Sequence, residues 1–189
     1  FKTAADYETK PTYTATVTVS DGTNTETQAI TVNVSDANDN APIIESSPVF
    51  SAAENQTSIG TVTATDGDSS SITFTVSGSE LAITSAGVLS FASAPDYETK
   101  ASYTATVTAS DGTNTTTQAI TVNVTNVNDN SPAFTSSAAF SAAENQTSIG
   151  TVTATDADSG DSITFTVSGS ELAMTSAGVL SFASAPDYE

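Results

Sequence analysis

The chain has no cysteine, no histidine and no tryptophan, and its only cations are Lys2, Lys10 and Lys100. Without thiols or imidazoles there can be no disulfide, no thiolate or imidazole catalysis and no zinc site of ordinary composition. Against those three lysines stand 22 acidic residues, a formal net charge of −19 over 189 residues. A nucleic-acid backbone or an anionic lipid surface would be repelled by such a chain, and its natural small partners are cations. No apolar run approaches the roughly 18 residues that a spanning helix needs, so no direct membrane insertion is expected. Nothing resembles a signal peptide, and a chain that starts at Phe1 without Met reads as a piece of something larger.

Small aliphatic residues are plentiful instead, with 37% of the chain hydrophobic, enough for cores of modest size. Self-comparison organises them. Residues 1–90 match residues 91–181 almost position for position, with one extra residue near Gly160, a period of about ninety. Asp6-Tyr7-Glu8-Thr9-Lys10 returns as Asp96-Tyr97-Glu98-Thr99-Lys100, and Ala53-Glu54-Asn55 as Ala143-Glu144-Asn145. A period this long with strand patterns inside it means an array of domains and not a solenoid of small units.

Within one period apolar residues alternate with Thr and Ser, as in strands with one face on a core and one in water. Tyr103, Ala105, Val107 and Ala109 alternate with Thr104, Thr106 and Thr108; Ile120, Val122, Val124 and Ile72, Phe74, Val76 follow the same rule. Shorter strands are expected at Ser58 to Thr65, Leu81 to Thr84 and Val88 to Phe91, led in by Val49 to Ala53, which makes seven. Turn pairs such as Asp66-Gly67, Ser77-Gly78, Ala86-Gly87 and Asp111-Gly112 separate them at the spacing of an all-β sandwich. No stretch carries a helical stripe.

Asp36-Ala37-Asn38-Asp39-Asn40 and its copy Asn126-Val127-Asn128-Asp129-Asn130 are each followed by a Pro two places on, which stops the preceding strand. With these as joints, 41–130 is one complete sandwich, 1–40 holds the last two strands of another and 131–189 the first five of a third. Each joint offers carboxylates, amide oxygens and backbone carbonyls, the hard donors that calcium takes and zinc does not. Laying the strands antiparallel in order puts Asp66, Asp68 and Asp111 at the end beside 36–40. The same layout puts Asp96, Glu98 and Glu54 at the end beside 126–130.

These motifs resemble the cadherin repeats, over the whole chain. Ala53-Glu54-Asn55 is similar to that family's x-Glu-x, Asp96-Tyr97-Glu98 to its Asp-x-Glu, and 36–40 to its Asp-x-Asn-Asp-Asn linker. Asp66-Gly67-Asp68 is similar to its Asp-x-Asp, and Ala109-Ser110-Asp111-Gly112 is close to its Ala-x-Asp-x-Gly. The resemblance implies tandem seven-stranded Greek-key, Ig-like sandwiches joined by linkers that bind about three Ca2+ ions each. The implied ligands at the first joint are Asp6, Glu8, Asp36, Asn38, Asp39, Asn40, Asp66, Asp68 and Asp111, with the backbone oxygen of Ala37. At the second they are Glu54, Asp96, Glu98, Asn126, Val127, Asn128, Asp129, Asn130, Asp156 and Asp158. Asn126 stands where the pattern has Asp, which removes a negative charge and should weaken that joint. The Thr and Ser richness and the near-identity of neighbouring copies look more like bacterial cadherin-like surface adhesins than animal adhesion cadherins.

Taken singly, each acidic residue could simply cap a turn or solvate a loop; it is their convergence on two joints in matching register that points to calcium. Paired carboxylates also serve glycosidases, but those need a cleft and usually an aromatic platform, and Asp96 and Glu98 occur once per module at a joint. An enzyme is therefore not expected. The expected function is a calcium-stiffened spacer in a long extracellular, cell-surface array, with neighbouring repeats or head-to-tail copies as partners. The alternative is a calcium-dependent adhesive module that binds surface polysaccharide or another copy of itself.

Overall fold

The computed structural model describes residues 3–68 and 71–189; Phe1, Lys2, Ser69 and Ser70 lie outside the described set. Every regular element is a β-strand, with no helix among the described residues. The chain divides into two compact units, Phe1–Pro95 with Ser102–Val124 and Asp96–Ala101 with Thr125–Glu189.

The first unit opens with a hairpin of β1 (Thr12–Ser20) and β2 (Thr25–Asn33), paired antiparallel from Thr12↔Asn33 to Ser20↔Thr25. Then come β3 (Ile43–Ile44), β4 (Val49–Ala53), β5 (Ser58–Thr61), β6 (Ala64–Thr65), β7 (Thr73–Val76), β8 (Leu81–Ile83) and β9 (Val88–Phe91). A second hairpin closes the series with β10 (Ser102–Ser110) and β11 (Thr115–Thr125). One sheet runs β4-β11-β10-β7, another β5-β9-β8, and β3 pairs with β6. The alternation seen in the sequence is the burial pattern of the structure. Val107, Ala109, Ile120 and Val122 of the first sheet and Val62, Leu89 and Phe91 on the other side are buried, while the intervening Thr residues face outward or are half-buried. Phe91 meets Tyr103 edge-on, ring centroids 5.1 Å apart, a favoured aromatic geometry.

The single strand expected over 58–65 is two strands, β5 and β6. Between them the Val62 N–H donates to the Gly87 carbonyl at 2.8 Å, and the Thr63 carbonyl accepts from Glu45 N–H at 2.9 Å. The chain thereby leaves β9 and takes β3 as its partner, so one apolar run serves two sheets. Gly87 permits this: it sits at φ +86°, and a Cβ there would lie 2.2 Å from the Val62 carbonyl oxygen.

The second unit contains β12 (Ala133–Phe134), β13 (Ser148–Thr151), β14 (Ala154–Thr155), β15 (Leu172–Met174) and β16 (Val179–Phe182). They form a β12-β14 pair and a β13-β16-β15 sheet, copies of β3-β6 and β5-β9-β8. Residues 139–143 and 164–167 repeat β4 and β7 in sequence yet form no ladder. In the first unit those strands pair with β11 and β10, and no copy of that hairpin is among the described residues of this unit.

Candidate metal centre

At the first joint the organising side chain is Asp68. One carboxylate oxygen, Oδ2, accepts from the backbone N–H of Asp39 at 2.9 Å and of Asn40 at 2.5 Å, and Oδ1 accepts from the Asn40 amide at 2.6 Å. Its own N–H donates to Asp66 Oδ1 at 2.9 Å, the turn that Asp66-Gly67-Asp68 was expected to make. Around it the carboxylates of Glu8, Asp36 and Asp68 converge, one oxygen of each lying within 4.8 Å of the others. Three like charges in that space disfavour full ionisation. A hydrogen bond from its own backbone works to lower the Glu8 carboxyl, but loss of solvent, the hydrogen bond and charge of Asp68 and contact with Asp36 hold it up at about 7. Asp68 moves the other way. The Asn40 N–H first, then the Asn40 amide, the Asp39 N–H and Glu8 lower its carboxyl against the loss of solvent. Glu8 thus keeps the proton that the pair shares.

The remaining residues of this set divide by what they hold. Asp6 uses both oxygens on Thr9, from N–H at 3.2 Å and Oγ1 at 2.8 Å, and its carbonyl accepts from Lys10 N–H at 2.9 Å. It caps the turn that presents Glu8, and the Thr9 hydroxyl, then its N–H, lower the Asp6 carboxyl. Asp111 likewise accepts from the N–H groups of Thr113 and Asn114, each at 2.6 Å. Burial works to raise the Asp111 carboxyl, and these donors and the Asn114 amide outweigh it, so the group is lowered. Asn114 itself was not among the expected residues. Its amide reaches Asn40 O at 2.7 Å, Asn38 Oδ1 at 3.2 Å and Asn38 O at 3.4 Å, tying the β10–β11 turn to the linker. The recurring Asp-Gly-Thr-Asn of both hairpins, 21–24 and 111–114, is the signal that could have marked it.

The second joint repeats the design within its own unit. Asp158, buried, accepts from Asn130 N–H at 2.8 Å and from its amide at 3.0 Å, and donates its own N–H to Asp156 Oδ1 at 3.1 Å. Asp129 Oδ1 accepts from the Asn130 amide at 2.8 Å, Glu98 Oε2 lies 3.4 Å from the same nitrogen, and an oxygen of Glu98 lies within 4.8 Å of one of Asp129. Asp96 caps its turn through Thr99, at 3.1 and 3.0 Å, as Asp6 does. Asn126 donates its amide to Ser159 O at 3.2 Å, while its Oδ1 is buried and accepts no hydrogen bond. Val127 is partly exposed. Glu54, in the first unit, is 3% exposed; the next residue, Asn55, takes φ 63° and donates its N–H to Pro95 O at 3.0 Å. Asn145 repeats that left-handed turn at φ 62°, a conformation that Asn tolerates better than other non-glycine residues.

The donors assembled here fit a hard divalent cation. They are oxygen only, crowded enough to hold a proton on Glu8, and include a buried amide oxygen at Asn126 with no donor. No family model matches the chain. Over 172 residues, 82% of the chain, it is 34% identical to mouse Cadherin EGF LAG seven-pass G-type receptor 1. The chain is made of cadherin repeats. It spans 6% of the length of that receptor. Among solved structures, Protocadherin Gamma B2 extracellular cadherin domains 3-6 superpose with a TM-score of 0.75 at 25% identity, covering 97% of this chain and 53% of that one. Mouse Cadherin-23 EC22-24 gives 0.74 at 27% identity over 99% of this chain and 69% of that one. Cadherin repeats are not enzymes. No helix among the described residues is long and apolar enough to cross a membrane.

Proposed function

We propose that this cadherin-repeat segment is a calcium-stiffened spacer in a long extracellular array, with module boundaries at 40/41 and 130/131. The observation that carries the proposal is the convergence of Glu8, Asp36 and Asp68 on one point beside Asp39 and Asn40. Like charges held that close repel until a cation joins them. Glu8, Asp36, Asp39, Asp66 and Asp68 would hold Ca2+ at the first joint with Asn38, Asn40, Asp111 and the Ala37 carbonyl, while Asp6 sets the turn that delivers Glu8. Glu98, Asp129, Asp156 and Asp158 with Asn126, Asn128 and Asn130 would serve the second, Glu54, Asp96 and the Val127 carbonyl completing the set. About three ions per joint is the expected number. When bound, the ion supplies charge neutralisation and a fixed geometry between linker and loops.

Spacing is favoured over recognition because copies so nearly alike display the same outward Thr and Ser on each module, as a length-setting element needs and a dedicated binding face does not. That near-identity also supports an array of the bacterial surface-adhesin kind. Thermal unfolding in calcium and in chelator tests the reading: an ion bound only by the folded form raises the melting temperature by mass action. A melting curve indifferent to calcium overturns it, and calcium-dependent binding on a glycan array would replace the spacer with an adhesive module.

A further inference from the structure

The half-buried side-chain amide of Asn114 lies among more oxygens than it has protons. Its nitrogen is 2.7 Å from Asn40 O, 3.2 Å from Asn38 Oδ1, 3.2 Å from Asp111 Oδ2 and 3.4 Å from Asn38 O, whereas a carboxamide offers two N–H bonds. The Asn40 contact is a short hydrogen bond, and the other three lie at or beyond the long end of the ordinary range, about 3.2 Å. The turn accounts for only one of the four. In the same Asp-Gly-Thr-Asn turn at 21–24, the Asn24 amide reaches Asp21 Oδ2 at 3.3 Å, the counterpart of the Asp111 contact. The linker brings the other three oxygens to Asn114. Two backbone carbonyls, an amide oxygen and a carboxylate around one point are the hard, mixed donor set that calcium takes at about 2.3–2.6 Å.

Given the calcium reading of this joint, we infer that the Asn114 amide is a built-in competitor for one of its cation positions, holding that position at low calcium and yielding it to the ion. An ion at calcium–oxygen distance from all four oxygens would take the place of the nitrogen itself. The N–H protons, positive like the ion, would also be repelled by it. Amide and ion therefore exclude each other. Charge decides the order of filling. Where Glu8, Asp36 and Asp68 converge there are three carboxylates, while the four oxygens around Asn114 include one, from Asp111. Calcium affinity follows ligand charge, and a neutral amide can rival a divalent ion only where that charge is low. The joint then stiffens in steps. The three-carboxylate position loads first, and Asn114 keeps the linker tied to the β10–β11 turn until a higher calcium concentration loads the position it holds.

Asn114→Ala removes the amide and leaves the backbone N–H groups of Thr113 and Asn114 that close the turn on Asp111. Calcium titration calorimetry of this variant should show one binding step tightened about two- to tenfold, the worth of the hydrogen bond that the ion no longer has to displace. Asn24→Ala should titrate like the unmodified chain. Melting temperatures should depend on calcium in a way that a plain structural tie would not. In chelator Asn114→Ala should melt below the unmodified chain, having lost the tie, and in saturating calcium the difference should vanish. In the unmodified chain the side-chain NH2 resonances of Asn114 should move late in a calcium titration, with the weaker ion. Calcium binding that is unchanged or weakened in Asn114→Ala, or Asn114 NH2 resonances that never respond to calcium, would make the amide an ordinary tie and overturn the inference while the calcium reading stands. No calcium binding by the unmodified chain would overturn both.

Discussion

Val17 and Val107 are the same residue in the same local sequence, Tyr-Thr-Ala-Thr-Val-Thr, and differ in burial: 51% exposed against none. Truncating each to Ala therefore isolates what tertiary covering is worth. Removing two carbons from the sealed Val107 site forfeits roughly 0.8 kcal/mol each in transfer free energy, and the void left between two sheets raises the total to about 2–2.5 kcal/mol. At Val17 half the surface is already in water, so the same truncation costs about 0.8 kcal/mol or less. For a small domain 1 kcal/mol corresponds to about 4–8 °C, so Val107→Ala should lower the melting temperature of the complete sandwich by roughly 10–15 °C, and Val17→Ala should hardly move it. Calorimetry in dilute protein at fixed calcium measures both, and segment-resolved hydrogen exchange gives a second reading, with 102–123 protected and 12–33 exchanging fast. Equal effects at the two positions in dilute protein, or equal protection of the two hairpins, would refute the reasoning.

In calcium-free protein, stability should fall as pH rises from 4.5 to about 7: Glu8 keeps its proton in the folded joint over that window and loses it in the unfolded chain, and the state that binds more protons is favoured at low pH. Calcium affinity should rise over the same window with release of that proton, read as buffer-dependent heat in titration calorimetry; a pH-independent affinity contradicts the shared site. Asp39→Ala should reduce calcium stoichiometry or affinity far more than Asn24→Ala, since Asn24 bonds to Asp21 of its own turn, and equal titrations remove Asp39 from the site. Gly87→Ala should cost about 1–3 kcal/mol from backbone strain alone and more from the 2.2 Å approach to the Val62 carbonyl, whereas Gly22→Ala, with nothing within 4 Å, should cost only the strain; denaturant midpoints of both variants check the difference.

Much of this protein is legible in the chain itself because its information is local and repeated. Alternation of apolar residues with Thr set the strands and the buried parity of Val107, Ala109, Ile120 and Val122, since a strand turns every second side chain to the same face. The oxygen-rich motifs and their register followed from self-comparison, and so did the class of cation they suit. What the sequence could not carry was partnership. Whether 58–65 is one strand or two depends on Gly87 and Glu45 arriving from elsewhere. The role of Asn114 depends on a turn folding over a linker more than seventy positions away. Among the carboxylates, the sequence ranked Asp6 and Glu8 alike; the tertiary structure gave Asp6 to Thr9 and sent Glu8 to Asp36 and Asp68. The stretches 49–53 and 139–143, which differ only at Val49/Ala139, make the point most directly: the first is a strand and the second is not, because a strand is completed by the hydrogen bonds of its neighbour and not by its own side chains.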